Sequence, residues 1–216
     1  MPITSLVRRW LPPSAGLLTV GVALGAVGTW VSFSQAGALS GPPAGRHVAV
    51  RDYRFDPATV PLSRGGTVVF DFEGPSRHTA TDATGMDLYD SGMVGEGGPS
   101  TWFTFPAAGE YRFTCSPHAW MGGRVQIPML VSPARTERRA LVKVVWAGVA
   151  ASDGFVYDVQ LQRPGSDWKD WRSGVLERMS SYSPAAGKGV YRFRARMRSL
   201  TEGEAAWSAE ALLRVD

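Results

Sequence analysis

Cys115, His118 and Met121 place a thiol, an imidazole and a thioether inside one seven-residue stretch, Cys-Ser-Pro-His-Ala-Trp-Met. A second imidazole, His78, stands about forty residues upstream, and Cys115 is the only cysteine of the chain. Soft sulfur suits Cu(I), imidazole suits both copper oxidation states, and a long axial thioether tunes the potential between them. Two histidines, one cysteine and one weak methionine are therefore the ligand set of an electron-transfer copper site. Zinc fits less well, because its structural sites are built from cysteine, histidine and carboxylates. A short connection after a strand would let Cys115, His118 and Met121 converge on one ion, while His78 must arrive from a neighbouring strand end. Pro117 has no N–H and cannot donate a hydrogen bond to the sulfur. Gly122 and Gly123 would permit the chain to turn away beneath the site.

The elements that must carry these residues show a period of two. Val48 and Val50 alternate with Ala49 and Arg51; Val68, Phe70 and Phe72 alternate with Val69 and Asp71. Tyr111, Phe113 and Cys115 share one face of a third strand, so the thiol arrives buried at a strand end. Gly and Pro recur between these segments, as in an all-β sandwich. A second alternating series follows: Val142, Val144 and Trp146; Tyr157, Val159 and Leu161; Tyr191, Phe193, Ala195 and Met197; and Trp207, Ala209, Ala211, Leu213 and Val215. Arg192, Arg194, Arg196 and Arg198 occupy the opposite face of the third of these, either as a solvated outer sheet face or as a patch for an anionic ligand. Asp167 and Asp170 flank Trp168 on an apparent hairpin.

At the N-terminus Arg8 and Arg9 precede an uncharged stretch from Trp10 to Gly45, with an apolar run from Leu17 to Phe33. That run is long for a signal peptide and just short of a comfortable membrane span. Small residues at Ala36-Gly-Ala38 offer a cleavage site. The readings are a cleaved signal, an uncleaved anchor with membrane association through residues 11–35, or an apolar helix buried in a soluble domain. Either of the first two makes the folded part exported, periplasmic or otherwise extracytoplasmic. The expected division is a signal or anchor over 1–38, a linker over 39–46, a first sandwich over 47–131, a linker over 132–138 and a second sandwich over 139–216.

Residues from about Arg46 to Val131 resemble the small cupredoxins, the plastocyanin and amicyanin group. The resemblance rests on Cys115-x-x-His118-x-x-Met121, which is the short amicyanin-like ligand spacing, and on Tyr53-Arg-Phe55-Asp-Pro57, Asp90-Ser-Gly92, Pro106-Ala-Ala-Gly109-Glu-Tyr111 and Met121-Gly122-Gly-Arg-Val125. It implies a Greek-key β-sandwich with one type 1 copper ion. His78, Cys115 and His118 would be its equatorial ligands and Met121 its axial one. It also implies redox partner proteins docking near His118. Trp120, between two ligands, reads either as part of that docking patch or as a packing lid. Where these proteins often have an Asn that ties the two ligand segments together, this chain has Thr79, whose hydroxyl can make a shorter bridge. The second series resembles a fibronectin type III domain, with Trp146 on an early strand, Tyr191-Arg-Phe193-Arg-Ala195 as its signature and Tyr191 as the corner tyrosine. Any immunoglobulin-like sandwich would give similar spacing.

Composition narrows the functions further. There are three histidines, His47, His78 and His118, so a second, catalytic copper centre lacks imidazoles and the chain reads as a non-enzyme. His47 reads as a solvated residue. The formal charge is +4, with seven basic and nine acidic side chains in 46–133 and fourteen basic against ten acidic in 134–216, so the excess lies outside the copper region. No groove-reading motif is present, and nucleic acid is not an expected partner. Two functions remain. One is an exported carrier of single electrons. The other is a surface binding or copper-handling protein whose second sandwich makes the contacts.

Overall fold

A computed structural model describes residues 42–216. The expected apolar N-terminal helix, whether signal or anchor, and residues 39–41 of the first linker lie outside the described residues. Every regular element among the described residues is a strand, and no helix there is long and apolar enough to cross a membrane.

The first sandwich is built from β1 (Arg46–Arg51), β2 (Arg54–Asp56), β3 (Thr59–Pro61), β4 (Gly66–Phe72), β5 (Thr81–Asp82), β6 (Thr101–Phe105), β7 (Gly109–Cys115) and β8 (His118–Ile127). One sheet runs β2-β1-β4-β6 and the other β3-β8-β7-β5. β1 pairs parallel with β4 and β3 parallel with β8, so the sheets close by crossovers as well as by hairpins. Alternation sets the core. Val48, Val50, Val68, Phe70, Phe72, Tyr111, Phe113 and Cys115 all point inward. Val69 departs from the pattern, being fully buried on the opposite face, where β6 sets Trp102 directly across from it. The rings of Phe55, Phe70 and Phe113 meet edge to face at 4.8 to 6.2 Å, the geometry favoured by aromatic quadrupoles, and they anchor β7 beneath the thiol.

The second sandwich takes β9 (Leu130–Ser132), β10 (Arg135–Thr136), β11 (Val142–Val145), β12 (Phe155–Gln162), β13 (Trp168–Val175), β14 (Met179–Tyr182), β15 (Gly189–Ser199) and β16 (Ala211–Val215). Its sheets run β14-β11-β9 and β10-β16-β15-β12-β13. The stretch read as a linker over 132–138 is thus part of this sandwich. Leu130, Val131 and Ser132 pair with β11, and Arg135 and Thr136 pair with β16. Prolines at 128 and 133 mask two short edge strands in the sequence, because edges tolerate proline where central strands do not.

Two further expectations change. Trp207 and Ala209 precede β16 instead of opening it. The Trp207 ring faces outward against the guanidinium groups of Arg194 and Arg196, at 4.9 and 4.4 Å. The arginine stripe is internally engaged. Arg194 also lies over Trp168 and donates to Gln160, Arg192 pairs with Glu210, Arg196 with Glu204, and Arg198 with the buried Asp158. Cation–π stacking and pairing consume the charges that an anionic ligand would need.

The sandwiches share backbone hydrogen bonds. Ala108 N–H donates to Trp146 O, Gly148 N–H to Pro106 O, and Glu110 and Ala206 exchange both of theirs. Gly203 packs against the Gly85 backbone so closely that a Cβ would lie 2.2 Å from a carbonyl carbon. The described residues, 42–216, form one contiguous unit.

Candidate metal centre

β7 and β8 form a hairpin whose two-residue turn is Ser116-Pro117, so Cys115 and His118 face each other across its tip. The register breaks here. Thr114 lies opposite Gly122, yet its neighbour Cys115 lies opposite His118, so Ala119, Trp120 and Met121 are extra residues on β8. A bulge of this kind re-aims side chains. In a regular strand His118 and Met121, three apart, would point to opposite faces. The bulge instead brings Met121 to full burial while Ala119 and Trp120 stay exposed. Gly122 and Gly123 lie within β8, and neither has a positive φ. The turn expected there is absent, and the Phe113 ring against Gly123 explains the glycine.

His78 sits on the segment between β4 and β5, held by reciprocal hydrogen bonds with Val94, its N–H to Val94 O and Val94 N–H to His78 O, both 2.9 Å. It is 1% exposed. One donor atom each from His78, Cys115 and His118 lie within 4.8 Å of one another. Cys115 Sγ is 3.6 Å from His78 Nδ1 and 3.4 Å from His118 Nδ1. Metal–nitrogen and metal–thiolate bonds of about 2.0 and 2.3 Å, at tetrahedral to trigonal angles, put such atoms roughly 3.5–3.7 Å apart. The spacing therefore fits a single ion between them, and the donor set of two imidazoles, one thiolate and a buried thioether fits copper. Among the described residues no other group of histidine, cysteine and carboxylate side chains is so arranged.

The residues around the ligands set their orientation. His78 Nε2 meets Asp52 Oδ1 at 3.2 Å, which fixes the proton on Nε2 and leaves Nδ1 free as a ligand atom. The His78 ring, followed by the Ser76 N–H, holds the Asp52 carboxyl below the usual range. Thr79 N–H donates to Cys115 Sγ at 3.3 Å. Thr79 Oγ1 accepts from Ser116 N–H at 2.8 Å, which is the bridge between ligand segments expected of Thr79.

His118 is half-buried, and Trp120, at 74% exposure, does not cover the site as a lid. Its ring lies 5.7 Å from His118 and 6.3 Å from Tyr53, and Tyr53 meets His118 edge to face at 5.1 Å. Tyr53 is a non-glycine residue at φ 61°, sparsely populated for an aromatic. It and Asp52 form the two-residue turn between β1 and β2, so one turn touches both histidines. Sequence reasoning missed Asp52. No spacing rule points to it, because only the hairpin brings position 52 beneath position 78. His47 is exposed and its Nδ1 lies 2.6 Å from Asp71 Oδ2, which accepts the hydrogen bond; it is not one of the clustered side chains.

Residues 49–128 match the model of a family described as copper binding proteins of the plastocyanin/azurin family. Among solved structures, an oxidised amicyanin variant shares 20% identity at a TM-score of 0.36, covering 39% of this chain and 82% of its own. A reduced Cu(I) amicyanin variant at pH 4 shares 20% at 0.37, over 40% and 85%. A purple cupredoxin from Nitrosopumilus maritimus shares 20% at 0.36, over 38% and 99%. No curated protein matches the chain.

Proposed function

We propose that the chain is an exported type 1 copper protein that carries single electrons. The convergence of His78, Cys115 and His118 on one point carries this reading, supported by the family match over 49–128. His78, Cys115 and His118 act as equatorial ligands and Met121 as the weak axial one. Bound copper would supply a one-electron Cu(II)/Cu(I) couple. The chain's own residues do the rest. Asp52 fixes the His78 tautomer, the Thr79 N–H withdraws charge from the sulfur, and the aromatic walls of Phe113 and its neighbours hold the strands still. A site so braced changes little between oxidation states.

The outer edge of His118, framed by Tyr53 and Trp120, is where redox partner proteins dock. The second sandwich acts as a fibronectin type III-like module fixed to the copper domain. Its sheet order and the Tyr191 hydroxyl bonded to Gly187 O at 2.9 Å support that assignment. Export, and membrane association through residues 11–35 if the segment is retained, rest on the uncharged N-terminal stretch. The chain functions as a carrier and not as an enzyme.

Adding Cu(II) to the purified protein tests the reading. The expected result is an intense visible thiolate-to-copper band with narrow copper hyperfine splitting, absent from Cys115→Ser. A pale solution with an ordinary tetragonal copper signal overturns it.

A further inference from the structure

Three hydroxyls close a ring beside the ligands. Thr81 Oγ1 donates to Thr79 Oγ1 at 2.8 Å, Thr79 Oγ1 donates to Ser116 Oγ at 3.3 Å, and Ser116 Oγ lies 3.2 Å from Thr81 Oγ1. A hydroxyl has one donor hydrogen and two acceptor lone pairs. Each member can therefore give one hydrogen bond and take one, all in the same sense around the ring. Thr79 Oγ1 keeps a second lone pair, and that pair takes the Ser116 N–H. Asp90 Oδ1, 3.0 Å from Thr81 Oγ1, is a second acceptor that shares the single Thr81 hydrogen with Thr79 Oγ1.

The ring joins three pieces of chain. Thr79 follows His78, Ser116 follows Cys115, and Thr81 opens β5, which pairs with β7 at Thr114. We propose that Thr81 is a positioning residue of the metal centre, acting through Thr79 to hold the Cys115 turn against the His78 segment. Threonine at position 79 is too short to brace itself from both sides. Thr81 supplies the second support that orients its hydroxyl toward the Ser116 N–H, and the Thr79 N–H stays aimed at the sulfur. The inference rests on the copper reading for its purpose, but the bracing itself exists in the metal-free chain.

The test uses the full-length protein. In metal-free protein, the labelling rate of Cys115 by an aromatic disulfide reagent reports how often the turn opens, since the thiol is fully buried when closed. Thr81→Val, close in shape but without the hydroxyl, is expected to label roughly fivefold faster, the effect of losing one ordinary hydrogen bond. Thr81→Ser is expected to label at the wild-type rate. Ser116→Ala, at an exposed position, opens the same ring and gives the same acceleration should Thr81→Val fold poorly. With copper bound, Thr81→Val is expected to lower the midpoint potential, because a weakened N–H to sulfur contact leaves more negative charge at the metal. Wild-type labelling by both Thr81→Val and Ser116→Ala overturns the inference, as does equally fast labelling by Thr81→Ser. If the wild-type protein gives no thiolate-to-copper band, the copper reading falls separately, and the labelling rates still decide the role of Thr81.

Discussion

Replacing Gly123 by alanine should destabilise the protein while the same change at Gly122 should not, although the two are neighbours on β8. An added Cβ at position 123 would lie 2.4 and 2.5 Å from two ring carbons of Phe113 and 2.6 Å from Ala58 O. Carbon atoms pack comfortably only at about 3.5–4.0 Å. Neither neighbour can yield cheaply. Phe113 is 1% exposed and wedged against Phe55 and Phe70, and Ala58 O accepts the Arg124 N–H. Overpacking of this kind costs about 1–3 kcal/mol. At position 122 the nearest atom is Phe113 O at 3.4 Å, and φ is not positive. There, alanine gains about 0.4–1 kcal/mol by restricting the unfolded chain. The two variants should therefore differ by about 1–4 kcal/mol. Urea unfolding followed by tryptophan fluorescence measures that gap. Because β8 also carries His118 and Met121, the Gly123 variant should bind Cu(II) with a broadened spectrum as well. Equal unfolding midpoints, or a less stable Gly122 variant, would refute the packing argument.

Thr79→Val removes the acceptor for the Ser116 N–H and should cost about 1–3 kcal/mol, while Thr79→Asn, which restores a longer acceptor, should cost less; unfolding free energies of the two decide it. Asp52→Asn should leave the fold intact but weaken copper affinity about tenfold or more, read by competition with a chelator, because His78 loses the carboxylate that sets its tautomer. Burial by itself raises the Asp158 carboxyl, but the Gly174 N–H and the Arg198 guanidinium outweigh it and leave the group below its ordinary range. Its contribution is then complete above the unfolded carboxylate value of about 3.9 and disappears as pH falls through the lower folded value. The stability gap between wild type and Asp158→Asn should be flat from neutrality to about pH 4 and shrink below it; a gap constant into stronger acid would contradict this. Gly203→Ala should lower the stability of both sandwiches together, since its Cβ meets the Gly85 backbone at their junction; two separate unfolding transitions with only one displaced would count against a shared unit.

Much of the site was legible because its chemistry is local. The thiol, imidazole and thioether fall within one hairpin, and period-two burial placed Cys115 at the buried end of a strand. Thr79 was readable too, as a short substitute beside the first ligand. The faces of β7, β11 and β15 follow the alternation, whereas β12 buries Val156 and Asp158 as well as the expected Tyr157, Val159 and Leu161. Reading failed where edges and outer faces decide. β9 hides between Pro128 and Pro133 and β10 just after Pro133, and Trp207 faces outward because arginines on the neighbouring strand take its ring.

Residue types and spacing alone marked out the candidate ligands, the two-sandwich plan and the buried approach of Cys115, since these depend on side-chain chemistry and strand periodicity. Tertiary structure decided the rest. The register jump that puts Met121 inward with His118 depends on how β8 pairs with β7. The turn that sets Asp52 under His78 and Tyr53 against His118, the hydroxyl ring through Thr81, and the backbone seam between the sandwiches all join residues far apart in the chain. Their partners are fixed by strand register and sheet closure, and a one-dimensional pattern holds no record of which strand lies beside which.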